Sequence, residues 1–355
     1  MQADIRNMLK LMMEKKASDM HITANAPIHL RVDEKLVPIN EKILNSEDVK
    51  KSVYALLSED QVQQFETEFE LDFSLEIKDL ARFRLNVFRQ RGSVGCAIRL
   101  IPFTIMGFNE CGLPVNMVES LCNKPKGLVL VTGATGSGKS TTLASMVDYI
   151  NASKPCHIVT IEDPIEFVHQ NKQALIDQRE VYHDTHSFGD SLKHVLRQDP
   201  DVILIGEMRD LETIESALIM AETGHLVFAT LHTSDAVQTI NRVIDVFPSY
   251  QQQQIRTQLS FVLLAVLSQQ LIPKMDGHGR ALATEVLIAT PAVKSLVREA
   301  KAHQIYSVIQ TSQKDGMKTM NQSLAELCDK EIISFEECLH KTMNVDELAK
   351  LIRRR

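Results

Sequence analysis

Apolar residues recur along this chain with two periods, and the changes from one to the other mark its parts. From Met1 to Lys16 they are interspersed with Asp4, Arg6, Lys10 and Glu14, which predicts an amphipathic helix rather than a signal peptide. Met20–Thr23 and Ile28–Val32 read as short strands around Asn25-Ala26-Pro27, with a tight turn at Asp33-Glu34-Lys35. Ser46 to Thr67 predicts one helix with Val49, Val53, Leu56, Leu57 and Val62 apolar. Ala81 to Gln90 then alternates strictly, with Phe83, Leu85 and Val87 on one face and Arg82 and Arg84 on the other. A turn at Arg91-Gly92 leads into a partner strand, Ser93 to Ile101. These elements predict an α+β domain over residues 1–102. Residues 103–114, rich in Pro and Gly at their margins, predict a linker that packs rather than floats.

Between 115 and 290 the pattern alternates strand and helix, as in a mostly parallel α/β sheet. Strands are predicted at Leu128–Thr132, His157–Ile161, Val202–Ile205, Leu226–Thr230 and Thr284–Ile288. Helices are predicted at Leu211–Glu222, Asp235–Val246 and, as one long element, Gln251–Leu271. Residues 291–355 predict a helical extension: Pro291–Lys301, Thr319–Asp329, Ser334–Lys341 and Asp346–Arg355.

The strand–helix junction at Gly133-Ala134-Thr135-Gly136-Ser137-Gly138-Lys139-Ser140-Thr141 fits G-x-x-x-x-G-K-[ST], a loop that cradles phosphates. Gly133, Gly136 and Gly138 allow the left-handed backbone that turns N–H groups inward. Lys139 supplies charge for the β and γ phosphates, the Ser140 hydroxyl suits Mg²⁺, and the following helix N-terminus favours an anion. This context predicts binding of a nucleoside triphosphate.

Other stretches add chemistry. Asp201-Val202-Ile203-Leu204-Ile205-Gly206-Glu207 is an apolar strand ending in an acid, the form of a Walker B element with Gly206 where Asp is common. Glu207 is then the candidate base that orients water. Glu162, Asp163 and Glu166, at the carboxyl end of another strand, are candidates to share metal binding with Ser140. His225 and His232 bracket one strand on opposite faces, so they predict no shared metal site; His232 is a candidate γ-phosphate sensor. Between Asp79 and Glu110 no acidic residue occurs, while Arg82, Arg84, Arg89, Arg91 and Arg99 do. Those arginines read either as a solvated strand face or as groups that neutralise charge on a neighbouring subunit's triphosphate.

Composition narrows the classes. The 355 residues suit two or three domains, and a hydrophobic content of 44% suits sizeable cores. A net charge of −7, no Trp and five Tyr argue against a nucleic-acid motor. The longest apolar run, Phe261–Leu267, is too short to span a bilayer. Cys96, Cys111, Cys122, Cys156, Cys328 and Cys338 form no C-x-x-C pair and predict reduced thiols in a cytosolic protein. The basic end, Lys350 to Arg355, reads as a solvated tail rather than a lipid-binding one.

Gly133–Thr141, Ile161–Phe167, Ile205–Asp210 and Thr223–Thr233 in this order resemble the Walker A, Asp box, atypical Walker B and His box of the secretion-superfamily ATPases. Within that superfamily the chain most resembles the type IV pilus retraction ATPases, the PilT family. The resemblance covers nearly the whole chain, including Ser18-Asp19-Met20-His21-Ile22-Thr23 and the arginine strands. It implies a homohexameric ATP- and Mg²⁺-dependent motor with a PAS-like N-terminal domain and a RecA-like core. It further implies arginines that reach across subunits, and work on pilin through an inner-membrane platform protein from the cytoplasmic side, with other pilus ATPases as further partners. An assembly or type II secretion ATPase would carry a tetracysteine zinc site, which this chain lacks; a regulatory paralogue of the motor is the other alternative. One segment departs from the family: Ala292-Val293-Lys294-Ser295-Leu296-Val297-Arg298-Glu299 stands where retraction ATPases carry Ala-Ile-Arg-Asn-Leu-Ile-Arg-Glu. Its apolar spacing predicts a helix buried along 292, 293, 296 and 297, with Lys294 and Ser295 on the exposed side.

Overall fold

A computed structural model describes residues 5–353 apart from 16, 33–34, 78–79 and 102–103. Asp33 and Glu34 of the predicted turn, Pro102 and Phe103 at the start of the predicted linker, and Arg354 and Arg355 of the basic tail lie outside the described residues. Contacts divide the chain into two units, Met1–Thr104 and Ile105–Arg355.

The first unit is an antiparallel sheet of six strands: β1 (Asp19–Ile22), β2 (His29–Val32), β3 (Lys35–Pro38), β4 (Glu70–Ile77), β5 (Ala81–Gln90) and β6 (Ser93–Ile101). Their lateral order is β3-β2-β1-β6-β5-β4. Alternation in β5 buries Phe83, Leu85 and Val87 against Leu9, Met12, Val53 and Phe65, leaving Arg82 and Arg84 on the other face. Arg91 and Gly92 both take positive φ, 49° and 74°, the turn whose twist matches a two-residue hairpin. The single helix expected over Ser46–Thr67 is two, Ser46–Tyr54 and Glu59–Glu68. Ser58 starts the second: its Oγ accepts the Gln61 N–H at 3.2 Å, and Gln61 Oε1 accepts the Ser58 N–H at 2.9 Å.

The second unit holds β7 (Gly127–Thr132), β8 (His157–Glu162), β9 (Leu175–Glu180), β10 (Val202–Ile205), β11 (Leu226–Leu231), β12 (Leu263–Pro273) and β13 (Arg280–Ile288). Their order is β13-β12-β7-β11-β10-β8-β9, parallel except for β13. β7, β10 and β11 are buried at every position because helices cover both faces. The predicted helix Gln251–Leu271 is corrected: the helix stops at Val262 and the chain continues as β12. A strand buried on both faces does not alternate, so its apolar run reads equally well as a buried helix.

Residues 105–114 are part of this unit rather than a separate connector. Phe108–Cys111 forms a short helix, and Phe108 and Leu113 join the core with Val118 and Met146. Beyond Pro291 helices continue, and Leu324, Ile333, Cys338 and Leu348 pack on Ile272, Ala281 and Ala283 of the outer two strands. The helix Pro291–Arg298 buries Val293 and Val297, with Leu296 half-buried. Contrary to expectation Ala292 is exposed, while Lys294 and Ser295 are half-buried. The helix lies over the core by a narrower stripe than its apolar spacing suggests.

Glu285 of β13 is 2% exposed, and its Oε1 accepts the Ala236 N–H at 2.9 Å. Burial pushes this carboxyl up to about 7 from an ordinary 4.5. A raised carboxyl pKa means that the folded state holds its proton more tightly, so stability is lost as pH rises from about 4.5 through 7. Glu285→Gln removes that titration. Denaturant unfolding at pH 5 and pH 8 should show the variant gaining on the parent at the higher pH, by up to about 3 kcal/mol.

Candidate active site

Four parallel neighbours, β7, β11, β10 and β8, end at one edge of the sheet, and each continues into a residue with chemistry to offer. At the end of β7 the loop passes through Gly133, Gly136 and Gly138 at φ of 142°, 80° and 90° and enters the helix Lys139–Ser153. A Cβ at Gly133 would stand 2.5 Å from the Gln269 carbonyl oxygen, so the loop is pressed against β12 and only glycine fits. Gln269, 1% exposed, also donates through Nε2 to Thr142 Oγ1 at 2.7 Å in the first turn of the helix. Lys139 is buried and donates to the Gly133 and Ala134 carbonyls at 2.7 and 3.1 Å. Burial lowers its pKa, partly offset by the Glu207 and Glu166 carboxylates. The ammonium is thus held inside its own loop, next to two acids. Thr135 and Gly136 are exposed at the loop's tip, Ser137 is buried, and Ser140 and Thr141 are half-buried.

Glu207 follows β10 and faces two partners. Arg209 Nη2 lies 2.7 Å from one carboxylate oxygen, and His232 Nε2, just beyond β11, lies 3.3 Å from the other. Burial pushes the Glu207 carboxyl up, but Arg209 and His232 outweigh it and hold it below its ordinary value. His225, at the other end of β11, hydrogen-bonds the Met220 carbonyl at 3.0 Å and belongs to the strand's start.

Gly206 has a steric reason. A Cβ there would lie 3.2 Å from both Glu162 Cα and the Ile161 carbonyl oxygen. Its N–H donates to that carbonyl at 2.8 Å, and its own carbonyl accepts the Thr230 hydroxyl at 2.5 Å. Any side chain at the position, aspartate included, pushes against the backbone of β8.

Glu162 closes β8. Its Oε1 accepts from Thr160 Oγ1 at 2.7 Å and Gln178 Nε2 at 3.2 Å, while its Oε2 lies 3.5 Å from the Glu166 N–H. Burial nonetheless pushes it up to about 7. Asp163 and Glu166 are exposed, and Asp163 adds to the field at Arg209. The arginines of the first unit engage their own sheet. Arg82 donates to Ser74 Oγ at 2.6 Å, Arg84 Nε lies 3.9 Å from Asp72, and Arg99 Nε lies 2.8 Å from Asp19. Arg91 stands exposed at the hairpin turn. Arg209 and Gln269 were given no role from the sequence. Arg209 was visible two places after Glu207, whereas Gln269 lay in a run read as helix.

A family model described as "Type II/IV secretion system protein" matches residues 1–343. The chain is 48% identical to the type IV pilus retraction ATPase PilT of Pseudomonas aeruginosa, across 95% of this chain and 98% of that one. It is 39% identical to the type IV pilus ATPase PilU of the same organism, across 99% and 91%. A crystal structure of the pilus retraction motor PilT with bound ADP superposes with a TM-score of 0.91 at 47% identity, across 98% and 99%. This chain belongs to the PilT family of retraction ATPases. It is a nucleotide-binding ATPase with the family's two-domain α/β fold.

The close packing at Gly206 sets a test. Gly206→Ala should lower stability by about 1–3 kcal/mol, the usual cost of overpacking. Because the displaced backbone carries Glu207, ATP turnover should fall as well, and thermal unfolding measured beside steady-state hydrolysis separates the two effects.

Proposed function

We propose that this protein is an ATP-hydrolysing, homohexameric motor that drives retraction of type IV pili. The observation that carries the chemistry is Glu207, anchored between Arg209 and His232 in the unit that also presents the Gly133–Thr141 loop. The direction of travel rests on the match to PilT over nearly both whole chains.

ATP phosphates sit in the N–H groups of the loop, and Lys139 exchanges its two carbonyl partners for β- and γ-phosphate oxygens. Ser140, Glu162 and Asp163 offer only oxygen donors, which suits Mg²⁺ shared with phosphates and water rather than a soft metal. Among the described residues no group of three or more His, Cys, Asp or Glu could hold a metal by itself, so Ser140 and one carboxylate would share it with the nucleotide. When bound, the ion neutralises charge on the phosphates. Glu207 accepts a hydrogen bond from the attacking water and aims it at the γ-phosphorus; His232 registers the γ-phosphate, a reading supported by its contact with the same carboxylate. Glu166 adds a second acid in the field of Lys139.

In the hexamer, Arg82, Arg84, Arg91 and Arg99 of one subunit answer the charge developing on its neighbour's nucleotide. To do so Arg84 and Arg99 exchange Asp72 and Asp19 for phosphate. Residues 1–102 act as the moving domain, 115–290 as the ATPase core and 291–355 as its helical extension. Force passes to pilin through an inner-membrane platform protein, with the motor at the cytoplasmic face and in company with other pilus ATPases. No helix among the described residues is long and apolar enough to cross a membrane, so docking on that protein supplies the attachment.

Replacing Glu207 by Gln in the chromosomal gene tests this reading. ATP binding should persist while turnover of the purified protein drops on the order of 10²-fold or more. Cells should gain surface pili and lose twitching. Fewer pili would make the protein an assembly motor, and an unchanged count with slowed turnover would make it an accessory ATPase.

The partners of Glu207 generate a pH test. Arg209 helps to hold its carboxyl down, so Arg209→Gln should raise that pKa and move the acid limb of the hydrolysis profile to higher pH. An unshifted limb would remove Glu207 as the titrating base.

A further inference from the structure

A cleft of about 550 Å³ opens on the second unit away from the phosphate loop, between the helix Val115–Cys122, the start of β12, the end of β13 and the turn Gln313–Asp315. Three lysines from three separate elements line it. Lys124 follows the first helix, Lys294 belongs to the helix Pro291–Arg298, and Lys314 lies on the turn. Their ammonium groups make no hydrogen bond or ion pair to any described residue. Lysines without such a partner also occur elsewhere on the surface, Lys274 and Lys330 among them, so what sets these three apart is that they line one cleft. One acid, Asp315, lies in the same lining, which leaves three positive groups against one negative.

Lys124 and Lys314 are exposed and Lys294 is half-buried, so three ammonium-bearing side chains border one concave surface with apolar walls, and an anion bound there is attracted by all of them. Met117, Leu264 and Ile288 line the remaining wall. A bare phosphate uses none of that surface, whereas an ester of phosphate with a flat or apolar body covers it. The volume falls within the roughly 300–1,000 Å³ of small-molecule sites.

We propose that this cleft is a second ligand site, distinct from the ATP site, which binds an organic phosphate of nucleotide size. Lys124, Lys294 and Lys314 hold the phosphoryl oxygens. The body lies on Met117, Leu264 and Ile288, and Asp315 accepts an N–H or O–H from it. Lys294 is also where the segment departs from the arginine of related retraction ATPases, so the cleft's charge is carried there by a point ammonium in place of a planar fork. Leu264 ties the site to the nucleotide: it stands in β12, the strand whose Gln269 carbonyl presses on Gly133.

The test uses the full chain with its phosphate loop filled by saturating Mg·ADP. Mant-GMP fluorescence is titrated into the parent, into Lys124→Ala/Lys294→Ala/Lys314→Ala, and into Lys294→Arg. The parent should bind mant-GMP saturably despite the ADP, and more weakly as salt rises. The triple variant should lose roughly tenfold or more in affinity, as expected for lost charge-assisted contacts, with its ADP affinity and thermal midpoint unchanged; Lys294→Arg should retain binding. Absence of saturable binding in the parent, or equal binding by the triple variant, overturns the proposal. Pyrophosphate competing as well as unlabelled GMP would overturn the role of the apolar wall and reduce the cleft to a phosphate site. Displacement by an acidic peptide but not by unlabelled GMP would overturn the small-molecule assignment and give the cleft to a protein partner.

Discussion

Hydrogen bonding between β8, β10, β11 and β7 in parallel register is the constraint on which the site depends. Parallel strands end together, so four segments far apart in the chain deliver Glu162, Glu207, His232 and the phosphate loop to a common edge. The cost is that these strands are buried on both faces and cannot carry charge along their length. Polar chemistry is therefore pushed to the strand ends. His232 and Gly133 are the first residues past their strands, Glu207 is the second past β10, and Glu162 is the last residue of its strand.

That arrangement explains which features could be read from residues alone. The phosphate loop was legible because its glycines and lysine perform their task through local backbone geometry, and the structure gives all three glycines positive φ. Glu207 was legible as an acid after an apolar run. Its anchoring was not, since His232 comes from a different strand and Arg209 points back along the chain only once the loop after β10 is folded. β12 was misread because burial on both faces erases alternation, and Gln269 was hidden with it. The break at Ser58 was available as a capping box, Ser58 to Gln61, and was overridden by apolar spacing that continued across it. β4 shows the opposite failure: Leu71, Phe73 and Leu75 alternate openly, but with Glu70, Asp72 and Glu76 among them.

The two units solve packing differently. In the first, one sheet face is apolar and covered by helices, and the other carries a net of ions in which Asp19 meets both Arg31 and Arg99. Exposed pairs of this kind contribute little to stability, so their arginines can change partners at small expense. In the second, the central strands β7, β10 and β11 are almost wholly apolar, and several buried polar groups are matched inside the core, as Thr132 is with Ser268 and Glu285 with Ala236. The first unit suits exchange of contacts, and the second suits a fixed frame.

Gly206 bears on the history of the site as well as on its geometry. With Glu162 Cα and the Ile161 carbonyl each 3.2 Å from where a side chain would begin, an aspartate after β10 crowds the neighbouring strand. The end of β8 would have to shift by a few tenths of an ångström, against the backbone hydrogen bond from Gly206 to Ile161. A chain with this spacing has its acids after β8 and at Glu207, and not at the residue between β10 and Glu207. The variation open to it lies in the acids after β8 and in the residues around Glu207, not in the strand that carries it.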